Sequence, residues 1–299
     1  MVYGLMAALS SKVDLALHYR NYAPNFHTQH SFGFGESPRV PRNERGFYTG
    51  LRIKPNSKWT ISTYFDRFNF PQNRFGTAYY SGGYEYLTQI DYIIRKGTQI
   101  YVRFKSEHKE KNAPSDFYNV AQPLYYLVPV QNTHLRVHFQ TQISKEIMLR
   151  SRAEASWYKG TDQQMVRGFM VYQDFFWHLN QKMKVSGRYA IFDVQDYNAR
   201  IYAFETTMPG DFQIPSYGGS IDTDKDNGKG TRYYLMLQYQ PFRFMTLWVR
   251  LSQTRYFSNN FSGNGQNNAY FPTNTIGSGN DIITGNTKSE LRMQMRITF

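Results

Sequence analysis

Thirteen cationic side chains fall at alternate positions of extended-looking segments and share one face by two-residue parity. They are Arg20, Arg52, Arg103, Lys105, Arg136, Arg150, Arg152, Lys184, Arg188, Arg232, Arg250, Arg292 and Arg296. The acidic residues of the same parity are fewer: Asp14, Asp66, Glu85, Asp91, Glu107, Glu154 and Glu290. An arginine-rich wall favours anions, and low-dielectric surroundings focus that field. The same residues can instead brace neighbouring strands through Arg–Glu pairs without conducting anything. Ten are the selectivity candidates: Arg103, Lys105, Arg136, Arg150, Arg152, Arg188, Arg232, Arg250, Arg292 and Arg296. Histidine chemistry is thinner. His134 and His138 share a face, but four strand residues separate them by about 13 Å, too far for one metal ion. His27 and His30, in "HTQH", belong to a polar loop, and His18 and Asp14 have no serine placed beside them. The Gly-Lys-Gly of "DNGKGTR" lacks the rest of a phosphate-binding loop and leads straight into a strand. With no cysteine, thiolate nucleophiles and thiolate metal sites are excluded. No catalytic residue, metal or cofactor is expected.

The elements that carry these residues alternate apolar and polar with period two. "KWTISTYFDRF" sets Trp59, Ile61, Thr63 and Phe65 against Thr60, Ser62, Tyr64 and Asp66, and "FMTLWVRLS" sets Met245, Leu247, Val249 and Leu251 against the residues between them. Each segment runs about ten residues, enough for a tilted strand to cross a bilayer. Connections strictly alternate between short turns such as "PNSK" and "RKGT" and long polar loops such as 109–132, 194–230 and 257–285. Lipid cannot satisfy a bare strand edge, so spanning strands must close on themselves. The expected fold is all-β: a transmembrane antiparallel up-and-down β-barrel over 1–299 with about 12–14 strands, short periplasmic turns and long extracellular loops. Tyr19, Trp59, Phe65, Tyr92, Trp157 and Trp177 are placed for interfacial girdles. Strands are expected near 2–9, 12–22, 46–54, 58–68, 83–94, 98–108, 133–143, 147–158, 168–179, 183–193, 231–240, 245–256 and 286–299. That count is odd. Either the first segment is not a strand, leaving twelve, or the chain is the C-terminal part of a longer barrel; the second is favoured because "MVYGLMAALSS" makes a poor secretory signal. "ARIYAFETTM", inside 194–230, is a strand-like run that this count leaves unused, an extracellular hairpin or an element folded in as a partial plug.

Several stretches, among them "GFYTGLRIKPNSKWTISTYFDRFNFP", "GKGTRYYLMLQYQP" and "IGSGNDIITGNTKSELRMQMRITF", resemble the barrel region of Bacteroidota outer-membrane proteins that carry helix-hairpin-helix motifs upstream of the barrel. In that family the upstream part resembles DNA-uptake proteins; this chain lacks it, so DNA binding by those motifs does not transfer. The terminal strand, with Leu291, Met293, Met295, Ile297 and Phe299 on one face, resembles the signal read by the barrel-assembly machinery. The formal charge of +13 points to anionic partners. The expected function is an outer-membrane channel or passive transport barrel with a basic, anion-favouring lumen. The alternatives are a barrel for DNA uptake or surface DNA binding, and a structural or adhesive barrel with a filled lumen and partner-binding loops. Expected partners are outer-membrane lipid and lipopolysaccharide, the assembly machinery, anionic solutes or single-stranded DNA, and surface proteins. Arginines with aromatic faces suit single-stranded nucleic acid.

Overall fold

The computed structural model describes residues 1–27, 32–37, 41–113, 126–211, 214–218, 228–257, 275–276 and 283–298. Its strands in chain order are β1 (Val2–Ser10), β2 (Val13–Tyr22), β3 (Glu44–Ile53), β4 (Trp59–Phe70), β5 (Ser81–Arg95), β6 (Thr98–Asn112), β7 (Leu127–Gln142), β8 (Ile147–Lys159), β9 (Met165–His178), β10 (Met183–Val194), β11 (Ile201–Tyr202), β12 (Ser216–Tyr217), β13 (Lys229–Phe242), β14 (Met245–Tyr256), β15 (Thr275–Ile276), β16 (Ile283–Thr284) and β17 (Thr287–Ile297). Thirteen of them form one sheet in the order β1 to β10, β13, β14, β17, so every strand neighbours its predecessor in the chain once the two short pairs are set aside. Those pairs, β11 with β12 and β15 with β16, are separate two-stranded sheets. The registers given are antiparallel throughout, as short turns require. Residues 2–10 pair along β2, from Val2 opposite Arg20 to Ser10 opposite Val13, so the first segment is a strand and the count of thirteen stands.

β5, β6 and β7 run 15, 15 and 16 residues, longer than the apolar alternation suggests. The alternation ends where outward apolar residues such as Phe104 and Leu135 end, but the backbone ladder continues past them through charged sequence like "HKEKN". Hydrogen bonding sustains a strand in water after the lipid-facing pattern has stopped.

The chain forms two compact units, one of residues 1–94, 101–135 and 157–165, the other of 95–100, 136–156 and 166–299. Sidedness is plainest in the second. One row across it, from β9 to β17, reads Phe175, Gly187, Leu235, Leu251, Leu291 and points outward; the next reads Asp174, Arg188, Tyr234, Ser252, Glu290 and points inward. Leu291 is 59 % exposed and Met293 70 %, while Asp174 is 2 % and Arg188 4 %. In the first unit Phe47 and Phe65 are exposed, whereas Arg20, Glu44, Phe68 and Phe70 are buried. Large apolar side chains are left outside and charges taken in, the inverse of a water-soluble protein and the pattern lipid imposes.

The inner face departs from a uniformly polar wall. In the second unit Met170, Tyr172, Ala190 and Phe192 form a buried cluster with Ile201, Ala203 and Tyr217, and Tyr234, Met236 and Trp248 form another with Met208. These inward apolar residues avoid water because Ile201, Ala203, Met208 and Tyr217 cover them.

Leu235→Arg, in the middle of the outward row, is expected to cost about 2–4 kcal/mol of folding free energy in vesicles, whereas Gln238→Arg on the inner face costs little. Denaturant titration of the reconstituted protein reads both.

Candidate functional site

The segment after β10 is built to fold against the inner face of the second unit. Asp196 accepts the N–H of Asn198 (2.7 Å) and caps a 3-10 turn over Tyr197–Ala199. The Arg200 guanidinium lies 3.5 Å from the centre of the Tyr197 ring. The chain then enters β11 and returns through β12, with Ile201 opposite Tyr217. Close approach needs Gly168: a Cβ there would collide with the Ala199 carbonyl and with Ser156 Oγ, which donates to that carbonyl.

Glu205 is the centre of the arrangement. Its carboxylate accepts from Arg232 Nε (2.7 Å) and Nη2 (2.9 Å), from the Tyr217 hydroxyl (2.8 Å) and from Arg250 Nη2. Arg250 Nε also donates to the Thr206 carbonyl (3.3 Å), and the Tyr234 hydroxyl accepts from the Thr206 N–H (3.2 Å). Further along, Arg292 reaches Asp211 (2.6 Å) and Glu290 (2.7 Å), and Gln294 donates to the Pro209 carbonyl (3.1 Å). On the facing strands Arg188 makes a two-pronged contact with Asp174 (2.5 and 2.8 Å) and stacks 3.6 Å from the centre of the Tyr172 ring. Arg136 donates to Glu154 (2.7 Å), which also takes Arg152, and Arg152 holds the Tyr202 carbonyl (3.0 Å).

In the first unit Arg20 is buried between Glu44 (2.6 Å) and Asp66 (2.8 Å), beneath the Phe34 ring. Glu44 also accepts the N–H of Glu36 (3.0 Å), which ties the 32–37 stretch to the inner face. Lys105 pairs with Glu85 (2.9 Å) and Arg103 donates to Gln89 (2.6 Å). Glu36, Glu85 and Glu107 offer oxygens within 4.8 Å of one another, but Lys109 bonds to both Glu36 and Glu107, so an ammonium already serves as their cation.

Of the ten selectivity candidates, the structure gives a carboxylate to Lys105, Arg136, Arg152, Arg188, Arg232, Arg250 and Arg292. Arg103 meets an amide. Arg150 lies over Phe176 (4.4 Å) and Arg296 over Trp248 (5.3 Å). The sequence reading missed five carboxylates of these contacts: Glu36, Glu44, Asp174, Glu205 and Asp211. Asp174 has the inward parity of Tyr172 and Phe176 and was legible from "MVYQDFFWH"; Glu44 sits just beyond the expected start of β3; Glu205 and Asp211 lie in a segment with no strand parity to read. Leu291, Met293, Met295 and Ile297 all face outward and are exposed. Phe299 and His30 lie outside the described residues.

No family model and no curated protein matches the chain. Solved structures do. The ferric enterobactin receptor PfeA, in complex with BCV-L6, is 9 % identical with a TM-score of 0.51; the match covers 86 % of this chain and 41 % of that one. BamA from Haemophilus ducreyi, lacking POTRA domains 1–3, is 10 % identical with a TM-score of 0.49 over 99 % of this chain and 62 % of that one. The NanC porin is 9 % identical with a TM-score of 0.33, covering 86 % and 94 %. The fold is that of the outer-membrane β-barrels. At such identity the likeness speaks of fold alone, and this chain spans about two fifths of the receptor's length.

Burial disfavours the ionised Glu205, but the hydrogen bonds and charge of Arg232, with Tyr217 and Arg250, outweigh it and hold this carboxyl below its ordinary range. A lowered value means that the contribution to stability is present at neutral pH and is lost as pH falls through it. Glu205→Ala, which strands the buried Arg250 and the partly buried Arg232, is expected to destabilise the protein by about 3–5 kcal/mol in urea unfolding in detergent. Replacing Glu205, Arg232 and Arg250 together by apolar residues recovers most of that loss. The difference between wild type and Glu205→Ala shrinks at pH values below the ordinary carboxylate range.

Proposed function

We propose that the chain is the membrane-spanning part of an outer-membrane transport protein, in which residues 196–211 and 214–217 close the basic wall of the second unit. The observation that carries this reading is Glu205 held between Arg232 and Arg250, a carboxylate from a non-spanning segment that bridges two arginines of the wall and offsets one of their two charges. Where fixed guanidinium groups already have protein carboxylates, a passing anion gains little from them. The anion preference inferred from the arginines alone therefore belongs to a state in which the segment has moved away. The solved structures of similar fold, among them a receptor and a porin, support a transport role and a place in the outer membrane by fold. They supply no substrate.

A filled wall also favours a second reading, a surface barrel that conducts nothing and presents its long loops to partners. Passage or capture of single-stranded DNA, implied by the family resemblance, is less well supported, because it draws on the arginines that carry ion pairs here. Single-channel recording in planar bilayers separates the first two. Wild type is expected to give small or infrequent conductance steps. A variant lacking 198–216 gives larger steps that prefer chloride over potassium, and Glu205→Gln gives the same change in part. If the deleted and intact proteins conduct alike, the gating reading is wrong; if neither conducts, it is wrong and the filled-barrel reading gains.

A further inference from the structure

The outward face is not charge-free: in the second unit it carries cations at one end only. Arg167 on β9, Lys229 on β13 and Arg255 on β14 are exposed, on the outward parity, at the ends that meet the long loops. At the turn ends the outward residues of the same strands are Trp177, Tyr239 and Met245.

The spacing is regular. Arg167 lies ten positions from Trp177, Lys229 ten from Tyr239 and Arg255 ten from Met245. Ten strand residues tilted by 35–45° span about 26 Å along the membrane normal, close to the roughly 25 Å apolar band of such proteins. Each cation therefore sits at the rim of the band when its turn-end partner sits at the other.

The three also lie at one depth. Arg167 is level with Gln195, whose N–H it accepts (2.8 Å); Lys229 pairs with Asp193; Arg255 pairs with Thr231, which faces Ile191. Over three strand spacings the row thus moves four positions, about 14 Å lengthwise for about 14 Å sideways, and that slant matches the tilt of spanning strands. The short turns move in the same direction, since Tyr239 faces Met183 while β13 runs on to Phe242 before turning. A row parallel to the turns lies parallel to the membrane plane. The first unit repeats the device: Arg45 and Arg67 each lie two positions nearer the long-loop end of the strand than the exposed Phe47 and Phe65, and from β3 to β4 the row steps the same way.

We propose that Arg167, Lys229 and Arg255 bind phosphate groups of lipid headgroups in the leaflet on the long-loop side. This rests on the membrane-spanning reading of the fold. Guanidinium groups suit phosphate because their planar fork donates two parallel hydrogen bonds. Asp193 lies 3.2 Å from Lys229 and offsets part of that charge, so the two arginines carry most of the affinity.

Native mass spectrometry of the full chain in detergent tests this with bisphosphorylated lipid A, the same lipid stripped of phosphate, and inorganic phosphate. Wild type is expected to retain the bisphosphorylated lipid at least tenfold more than R167S/K229S/R255S does. Stripped lipid is held weakly by both, and inorganic phosphate displaces nothing. The single variants R167S and R255S, each with partial loss, guard against misfolding of the triple. Equal retention by both proteins, or equal retention of lipid with and without phosphate, overturns the proposal. Insertion of wild type and variant into phosphatidylcholine vesicles is followed alongside: failure of both to insert overturns the spanning reading itself, whereas insertion of both with equal lipid retention overturns only the headgroup site.

Discussion

A charged side chain in hydrocarbon has neither water nor a partner, and that cost sorts every residue of this sheet to one face or the other. With a side-chain period of two, the sorting is all or nothing: a one-residue slip would carry Arg188, Arg250 and Asp174 into lipid and Leu235, Leu251 and Leu291 inward. Register is thus fixed by charge as much as by turn length. A second requirement follows from the first. Charges brought together on an inner face and covered by other residues leave water too, and they are stable only as pairs. Asp174 beside Arg188 and Glu154 between Arg136 and Arg152 meet it within the sheet. Arg232 and Arg250 have no such sheet neighbour for their charge; it comes from Glu205 in the segment that folds back over them.

The sheet was legible in the sequence and the covering segment was not, for a physical reason. A spanning strand has one environment per face, so "FMTLWVRLS" announces both its conformation and its orientation. Residues 196–211 and 214–218 meet the inner wall through largely irregular backbone: Ala199 approaches over Gly168, Gly218 takes a positive φ, and Glu205 and Asp211 reach sideways to arginines on the strands. None of this has a period. The strand-like "ARIYAFETTM" shows the limit well, since only Ile201–Tyr202 of it is strand and the apolar Ala203 and Met208 are buried by contact with Met170, Tyr234 and their neighbours. Parity placed the thirteen arginines and lysines and, among their partners, Asp66, Glu85, Glu154 and Glu290; Glu205 and Asp211 escaped it, because a carboxylate from outside the sheet can pair with any of them.

The two ends of the strands do different work. At the turn ends of β9, β13 and β14 the outward residues are apolar or aromatic, and at their loop ends the series closes on Arg167, Lys229 and Arg255, cations that suit phosphorylated headgroups. Inside, residues 196–211 of the connection between β10 and β13 lie against the wall. The basic composition thus divides into an outward share suited to lipid phosphate and an inward share most of which meets protein carboxylates. Net charge alone does not separate these uses; position along and across the strand does.

The measurement closest to the central claim is a nitroxide scan across the β14–β17 pair in reconstituted vesicles. Labels at Val249, Leu251, Leu291 and Met293 are expected to relax with oxygen dissolved in lipid and to be shielded from a water-soluble paramagnet. Labels at Ser252 and Gln294 are expected to be shielded from lipid oxygen. Accessibility without this alternation, or with its sense reversed, would contradict the sidedness on which the ion pairs, the covering segment and the lipid-facing cations all depend.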